Sequence, residues 1–425
     1  MLSSQEQQAK VIMRLPSVPN FRQSCESVAR AREIAKWIVE RISTPQALMR
    51  RHAESGDRVG VDMRGLRDNR GLASGAAGVA LLLAAFERLE PSAPWRERIH
   101  DMFVHATNDV AHGSLYTGHS GYALCASLVS RGTGRYRRMI EQLCELSARE
   151  VIGYCDAAQG APFTSSHYAE LIGGIAGQLL ILDDARYLPV WLRAAQFFEW
   201  MTEDTQRWCV PNQNDPDSGP RNDLGVSHGI AGIMGSLALG PRTDVGITVV
   251  RRIAQLLTDS ATDADLAPQW PSILGSAGRE QMARAAWCYG SPGLSCVLFN
   301  AALYLQDNQL IELATRSVRA LLARPLESWG MVDMGLCHGV AGNAVMLARM
   351  AGVIECEQIN GLANTLFDQL LAAFDEQLPL GYDSYTLLGR IDAPGFLEGT
   401  AGIAMALLTL SGQIDNSWLR ALAIL

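Results

Sequence analysis

Three residues in the second half of the chain have the types that hold a soft divalent cation: Cys288, Cys337 and the adjacent His338. Zinc takes thiolate and imidazole ligands, and a catalytic zinc uses three from the protein and leaves a fourth position open. Neighbouring Cys337 and His338 can face one ion only where the backbone is not helical, which the glycines of GLCHG permit. A lone cysteine or histidine beside an apolar helix is ordinarily a packing residue. What argues against packing here is a shared register. Both cysteines stand two residues before a glycine that opens a G-x-x-G motif, and His338 stands one residue before it.

That motif recurs seven times: Gly75–Gly78, Gly118–Gly121, Gly174–Gly177, Gly229–Gly232, Gly290–Gly293, Gly339–Gly342 and Gly399–Gly402. Successive copies start 43 to 61 residues apart, room for two helices and two loops each. The two residues before each copy read Ala73-Ser74, Tyr116-Thr117, Ile172-Gly173, Ser227-His228, Cys288-Tyr289, Cys337-His338 and Leu397-Glu398. If the copies form a ring, equivalent positions gather at one end and consecutive repeats are neighbours. His228, Cys288, Tyr289, Cys337 and His338 then converge at one mouth. Arg284 lies four residues before Cys288. On a helix the two share a face, and the arginine steadies a thiolate or an enolate oxygen; otherwise it is a surface charge.

After each motif comes an apolar run, such as VALLLAAF, IMGSLAL or IAMALLTL, of the kind that is buried on all sides. Between the runs lie amphipathic stretches, such as RYRRMIEQLCELSAREVI and LIELATRSVRALLA. Each repeat is thus an exposed-face helix followed by a buried one. The fold class is all-α, and the arrangement an α/α toroid with seven inner and seven outer helices. Closure is favoured over an open solenoid because the first and last apolar runs lack the polar faces of capping repeats. The glycines let backbones approach where inner helices start. One domain is expected over 1–425, with 1–70 leading into the repeats of 71–425 and CESVARAREIAKWIVERI as an extra outer helix. No alternating strand pattern persists, and Pro211–Asp223 reads as a surface loop.

Composition narrows the function. With 425 residues, 48% hydrophobic and 19% charged, the chain has ample core material, and a net charge of −8 disfavours a nucleic-acid partner. The opening MLSSQEQQAK lacks a signal-peptide pattern. The apolar stretch from Gly71 to Phe86 is too short for a membrane span, so an integral membrane protein is not expected. Nine cysteines without a disulfide pattern fit a reducing interior. Cys25, Cys125, Cys144, Cys155, Cys209, Cys296 and Cys356 read as structural, and His112 and His119 as surface or core residues.

The strings SHGIAG, RAAWCYGSPG and GLCHGVAG resemble the signatures of lanthionine synthetase C-like proteins, the lantibiotic cyclases. The resemblance runs from about Gly71 to the C-terminus. It implies a double ring of helices, one zinc ion on Cys288, Cys337 and His338, and catalytic roles for His228, Arg284 and Tyr289. The family usually has an aspartate four residues before the first glycine of the third repeat. Here that position is Glu170, one methylene longer. The implied reaction adds cysteine thiols of a dehydrated precursor peptide to dehydroalanine or dehydrobutyrine, giving thioether rings. The implied setting is cytoplasmic, membrane-associated only through partners, with a separate dehydratase and export machinery. In that chemistry the substrate thiol fills the open zinc position and its thiolate attacks the β-carbon. His228, oriented by Glu170, protonates the α-carbon, and Arg284 and Tyr289 stabilise charge or position the peptide.

Three rivals remain. One is a relative that adds glutathione or another small thiol; such relatives typically carry histidine where Tyr289 stands. Another is a non-catalytic peptide-binding scaffold with a closed, four-ligand structural zinc. A glycosidase needs paired carboxylates, whereas Glu170 and Glu398 fall in non-adjacent repeats.

Overall fold

The computed structural model describes residues 23–58, 69–107, 112–158, 168–209, 220–262, 267–275, 283–354, 356–386 and 389–425. The opening MLSSQEQQAK and most of the 211–223 loop lie outside them.

The N-terminal α1 (Cys25–Ile42) and α2 (Pro45–Arg58) precede the repeats. Inner and outer helices then alternate. The inner set is α3 (Ala76–Leu89), α5 (His119–Val129), α7 (Ile175–Leu179), α9 (Ile230–Ala238), α11 (Ser291–Leu305), α13 (Val340–Ala351) and α15 (Thr400–Leu410). The outer set is α4 (Trp95–Thr107), α6 (Arg137–Ala158), α8 (Leu188–Thr202), α10 (Asp244–Ser260), α12 (Asn308–Leu322) and α14 (Glu357–Ala372). Each inner helix packs on its neighbours in the ring or on the outer helix that follows it, and α15 packs on α3 to close the circle.

The burial follows the sequence pattern. Every residue of α15 is buried. Outer α12 buries only Leu310, Leu313, Ala314, Ser317, Val318 and Leu321, a single stripe at helical spacing. The glycines act through close approach. A Cβ on Gly177 would sit 2.8 Å from the Leu115 Cβ of the preceding repeat, and one on Gly78 would sit 2.7 Å from the Phe396 Cβ. Such distances are below any tolerable carbon contact.

Main-chain hydrogen bonds link the loops that precede the inner helices. The N–H of Ala73 donates to the Tyr116 carbonyl (2.9 Å), and that of Tyr116 to the Ile172 carbonyl (3.3 Å). Val226 donates to Cys288 (2.8 Å), Trp287 to Cys337 (3.0 Å), Cys337 to Leu397 (2.9 Å) and Leu397 back to Ala73 (2.8 Å). Six of the seven junctions are closed in this way. Among the described residues the seventh, between the third and fourth loops, carries no such bond.

Several features differ from the sequence reading. α1 is the seventh outer helix rather than an extra one, because it packs along α15, the inner helix that otherwise lacks an outer partner. The additional helix is α2, where the His52 ring bonds to the Ser74 carbonyl (Nε2 to O, 2.9 Å). A two-stranded hairpin, β1 (Ser384–Thr386) with β2 (Gly389–Ile391), is too short to show an alternating pattern. The segment from Ser417 to Ile424, which carried no signal, fills the lumen. There the Tyr116 hydroxyl donates to the Ala421 carbonyl (2.6 Å), the Trp287 indole to Leu422 (2.8 Å) and Asn300 to Ala423 (3.3 Å). Among the described residues no helix is long and apolar enough to cross a membrane.

Two stability predictions follow from this packing. Tyr116→Phe strands the buried Ala421 carbonyl and lowers unfolding stability by about 1–3 kcal/mol, read from urea denaturation. His119, the first residue of α5, is wholly buried, and burial pushes its pKa down to about 4 against the opposing pull of a bond to the His112 backbone. It is neutral in the fold and titrates near 6.5 once unfolded, so protons favour the unfolded chain. Stability is therefore lost as pH falls from about 6.5 toward 4, and His119→Gln flattens that slope in urea midpoints measured across the range.

Candidate metal centre

The three sequence-predicted ligands come together. One donor atom from each of Cys288, Cys337 and His338 lies within 4.8 Å of the other two, the only such group among the described residues. The loop before α11 and the loop before α13 carry them, clamped by the Trp287 bond to the Cys337 carbonyl. Both thiols are buried. Gly290 gives the first of these loops its turn. Its φ of +85° and a Cβ position against the Arg284 carbonyl exclude other residues.

The three donors share protons among themselves, and a cation would have to displace those protons to bind. The two sulfurs are hydrogen-bonded, so the pair sheds one proton readily and holds the second tightly. Cys288 is drawn down chiefly by its bond with Cys337, against burial, with help from His338 and Arg284. Cys337 is driven up by the same bond and by burial. His338 is raised to about 9, first by its bond to Asp333 and then by Cys288. Its Nε2 lies 3.2 Å from the Asp333 Oδ2, which leaves Nδ1 as the ring atom for a metal. The other Asp333 oxygen accepts the Gly335 N–H (2.8 Å).

Beside this group His228 faces Glu170, Nδ1 to Oε2 at 3.5 Å. Burial alone would lower the His228 pKa, but the bond to and charge of Glu170 outweigh it, followed by Asp223 and Cys288, and the net shift is upward. Glu170 is itself buried and accepts the N–H groups of Ile172 (2.6 Å) and Gly173 (2.7 Å). The Tyr289 hydroxyl donates to the Asp223 Oδ2 (2.7 Å), and the Asp223 Oδ1 accepts the Gly225 N–H (2.7 Å). Burial and that carboxylate both raise the phenol's pKa, so its proton stays on. Glu398 is half-buried, and its charge reaches Cys337.

Two expectations need correction. The segment carrying Arg284 and Cys288 is a series of bends, so helical spacing does not relate them; the exposed arginine acts through its charge, which favours thiolate on both cysteines. The loop read as ending in surface at Asp223 ends in a buried carboxylate.

Asp223 and Asp333 were missed as functional residues, although a signal existed. Asp223-Leu-Gly-Val-Ser-His228-Gly and Asp333-Met-Gly-Leu-Cys-His338-Gly share the pattern D-x-G-x-x-H-G. In both, the aspartate turns back onto the glycine two residues on. That leaves its second oxygen for a side chain at the mouth.

Known proteins are similar to this chain in sequence and in fold. The family described as "Lanthionine synthetase C-like protein" matches residues 68–423. The nisin biosynthesis protein NisC of Lactococcus lactis subsp. lactis is 22% identical over 386 residues, covering 83% of this chain and 88% of that protein. A solved structure of nisin cyclase superposes with a TM-score of 0.68 at 19% identity, over 89% of this chain and 97% of that one. With a match spanning all seven repeats, the chain belongs to the lanthionine synthetase C-like family.

Proposed function

We propose that this protein is a zinc-dependent lanthionine cyclase, joining cysteine thiols of a dehydrated precursor peptide to dehydroalanine or dehydrobutyrine as thioether rings. The observation that carries the reading is the convergence of a donor set that suits zinc, two sulfurs and one imidazole, at the mouth beside the His228–Glu170 pair. Three protein donors among the described residues favour an open site over the closed structural one of a scaffold. Similarity to a nisin cyclase supports a peptide over a small thiol as the partner. The same reading takes the chain as one domain, with α1 completing the outer ring.

Cys288, Cys337 and His338 would hold the ion, and Asp333 would fix the tautomer and direction of His338. Bound zinc supplies acidity to an incoming thiol, which otherwise has a pKa near about 8.5 and stays largely protonated at neutral pH. The reaction exchanges one S–H and one C=C bond for a C–S bond at the β-carbon and a C–H bond at the α-carbon, with no change of oxidation state. His228 carries the proton that the α-carbon receives. Glu170 keeps that imidazole charged and fixed in direction, since its own oxygens are anchored by two backbone N–H groups. The Arg284 charge supports the anionic character of the site, and Asp223 fixes the Tyr289 ring at its wall.

Variants separate these roles. Cys337→Ala loses bound zinc and cyclisation together, whereas His228→Asn keeps zinc by elemental analysis and loses cyclisation by mass spectrometry with thiol alkylation. Ring closure with native stereochemistry by Cys337→Ala protein would refute the metal role. Asp333→Asn weakens zinc affinity by about tenfold to a hundredfold, read by competition with a chromogenic chelator.

A further inference from the structure

The third inner helix, α7, is the shortest of the ring. It has 5 residues, whereas the others run from 9 to 15. Beyond it the chain leaves the ring and makes a single helical turn at Ala185–Tyr187. At the C-terminal ends of α5 and α7, away from the metal-bearing loops, lies a cavity of about 280 Å³. A cavity of roughly 150 Å³ already admits benzene. The floor of this one is apolar, with Leu124 and Leu128 of α5 and the following Ile181 and Tyr187 all buried. Its rim is charged and open to solvent, carrying exposed Arg131, Asp183 and Arg186.

Arg420 lines the cavity from the C-terminal segment. Its Nε donates to the carbonyl of Leu180, the residue that caps α7 (2.9 Å), and this is its one hydrogen bond among the described residues. Both terminal nitrogens of the guanidinium therefore lack a protein acceptor. Burial draws the Arg420 pKa down, Asp183 pulls it back up, and Arg131 pushes it down again, so the charge is held with little support. The neighbouring charges do not cancel it. Arg135 is held by Glu87 (2.6 Å), Arg186 by Asp184 (3.6 Å) and Arg137 by Glu141 (4.0 Å). Arg131 and Arg420 remain, and of the acids that line the cavity only Asp183 is left to face them. Arg131 also lends its charge to Asp415, outside the cavity, but Arg88 serves that carboxylate too. One positive charge is in excess over an apolar floor.

We infer that this cavity is a binding site for a small organic monocarboxylate, whose two oxygens take the free edge of the Arg420 guanidinium below Arg131 and whose apolar body rests on Leu124, Leu128, Ile181 and Tyr187. A guanidinium already fixed through one nitrogen offers its remaining donors in the planar fork that a carboxylate matches. A single surplus charge suits a monoanion better than a phosphate dianion. The inference does not depend on the cyclase reading, because the site lies at the other end of the wheel.

The test uses the full chain with hydrocinnamate and with its primary amide, which keeps the shape and lacks the charge, compared by isothermal titration calorimetry. The acid binds saturably in the millimolar range or below, and the amide binds about tenfold more weakly or worse. Arg420→Gln weakens the acid about tenfold and leaves the amide unchanged. Because Arg420 also braces the end of α7, two further variants guard against a loss of folding. Arg131→Gln, on the rim, weakens the acid about threefold. Ser127→Phe, which fills the cavity from α5, abolishes binding while the circular dichroism spectrum holds. Equal affinity for acid and amide, no saturable binding of the acid, or acid binding that survives Ser127→Phe in folded protein overturns the site.

Discussion

A hydrogen bond from the backbone of one loop to the carbonyl of the next is the constraint on which this molecule turns. Each bond is worth about 1 kcal/mol net, but its effect is geometric. It fixes equivalent positions of consecutive repeats side by side, at the end of the ring where the inner helices begin. Buried apolar helices supply the driving force for the ring, and this circuit supplies the register. The Cys288 and Cys337 sulfurs meet because Trp287 is bonded to the Cys337 carbonyl, not because the sequence spacing between them has any special value.

Carboxylates then refine what the circuit places. Glu170, Asp223 and Asp333 each commit one or both oxygens to nearby backbone N–H groups and face His228, Tyr289 and His338 respectively. An acid tied down by its own loop cannot follow its partner as that partner moves, so it sets direction as well as charge. The longer side chain at position 170 has a structural reason here. It spans two N–H groups of its own loop and still reaches His228 on the next.

Much of this was legible in the chain alone because repetition makes function visible as deviation. Seven glycine motifs defined the ring, and the three repeats carrying histidine or cysteine in the preceding positions defined the site. What escaped was information that a register does not encode. The bends around Arg284 come from loop closure at Gly290 rather than from any propensity of RAAW. Asp223 was hidden by the polar residues before it, whose composition reads as solvated surface although its own side chain is buried. The pairing of α1 with α15 is a contact across nearly the whole chain, and no local pattern announces it. The same holds for the lumen contacts of Ala421 and Leu422, which are made through carbonyl groups that every residue possesses.

Those lumen contacts bear on traffic. With Trp418, Leu419 and residues 421–424 buried and tied to Tyr116, Trp287 and Asn300, the middle of the wheel is occupied by the chain's own C-terminal segment. On the cyclase reading proposed above, a peptide receiving several rings would come and go on one side of the wheel, letting go and re-entering for each closure.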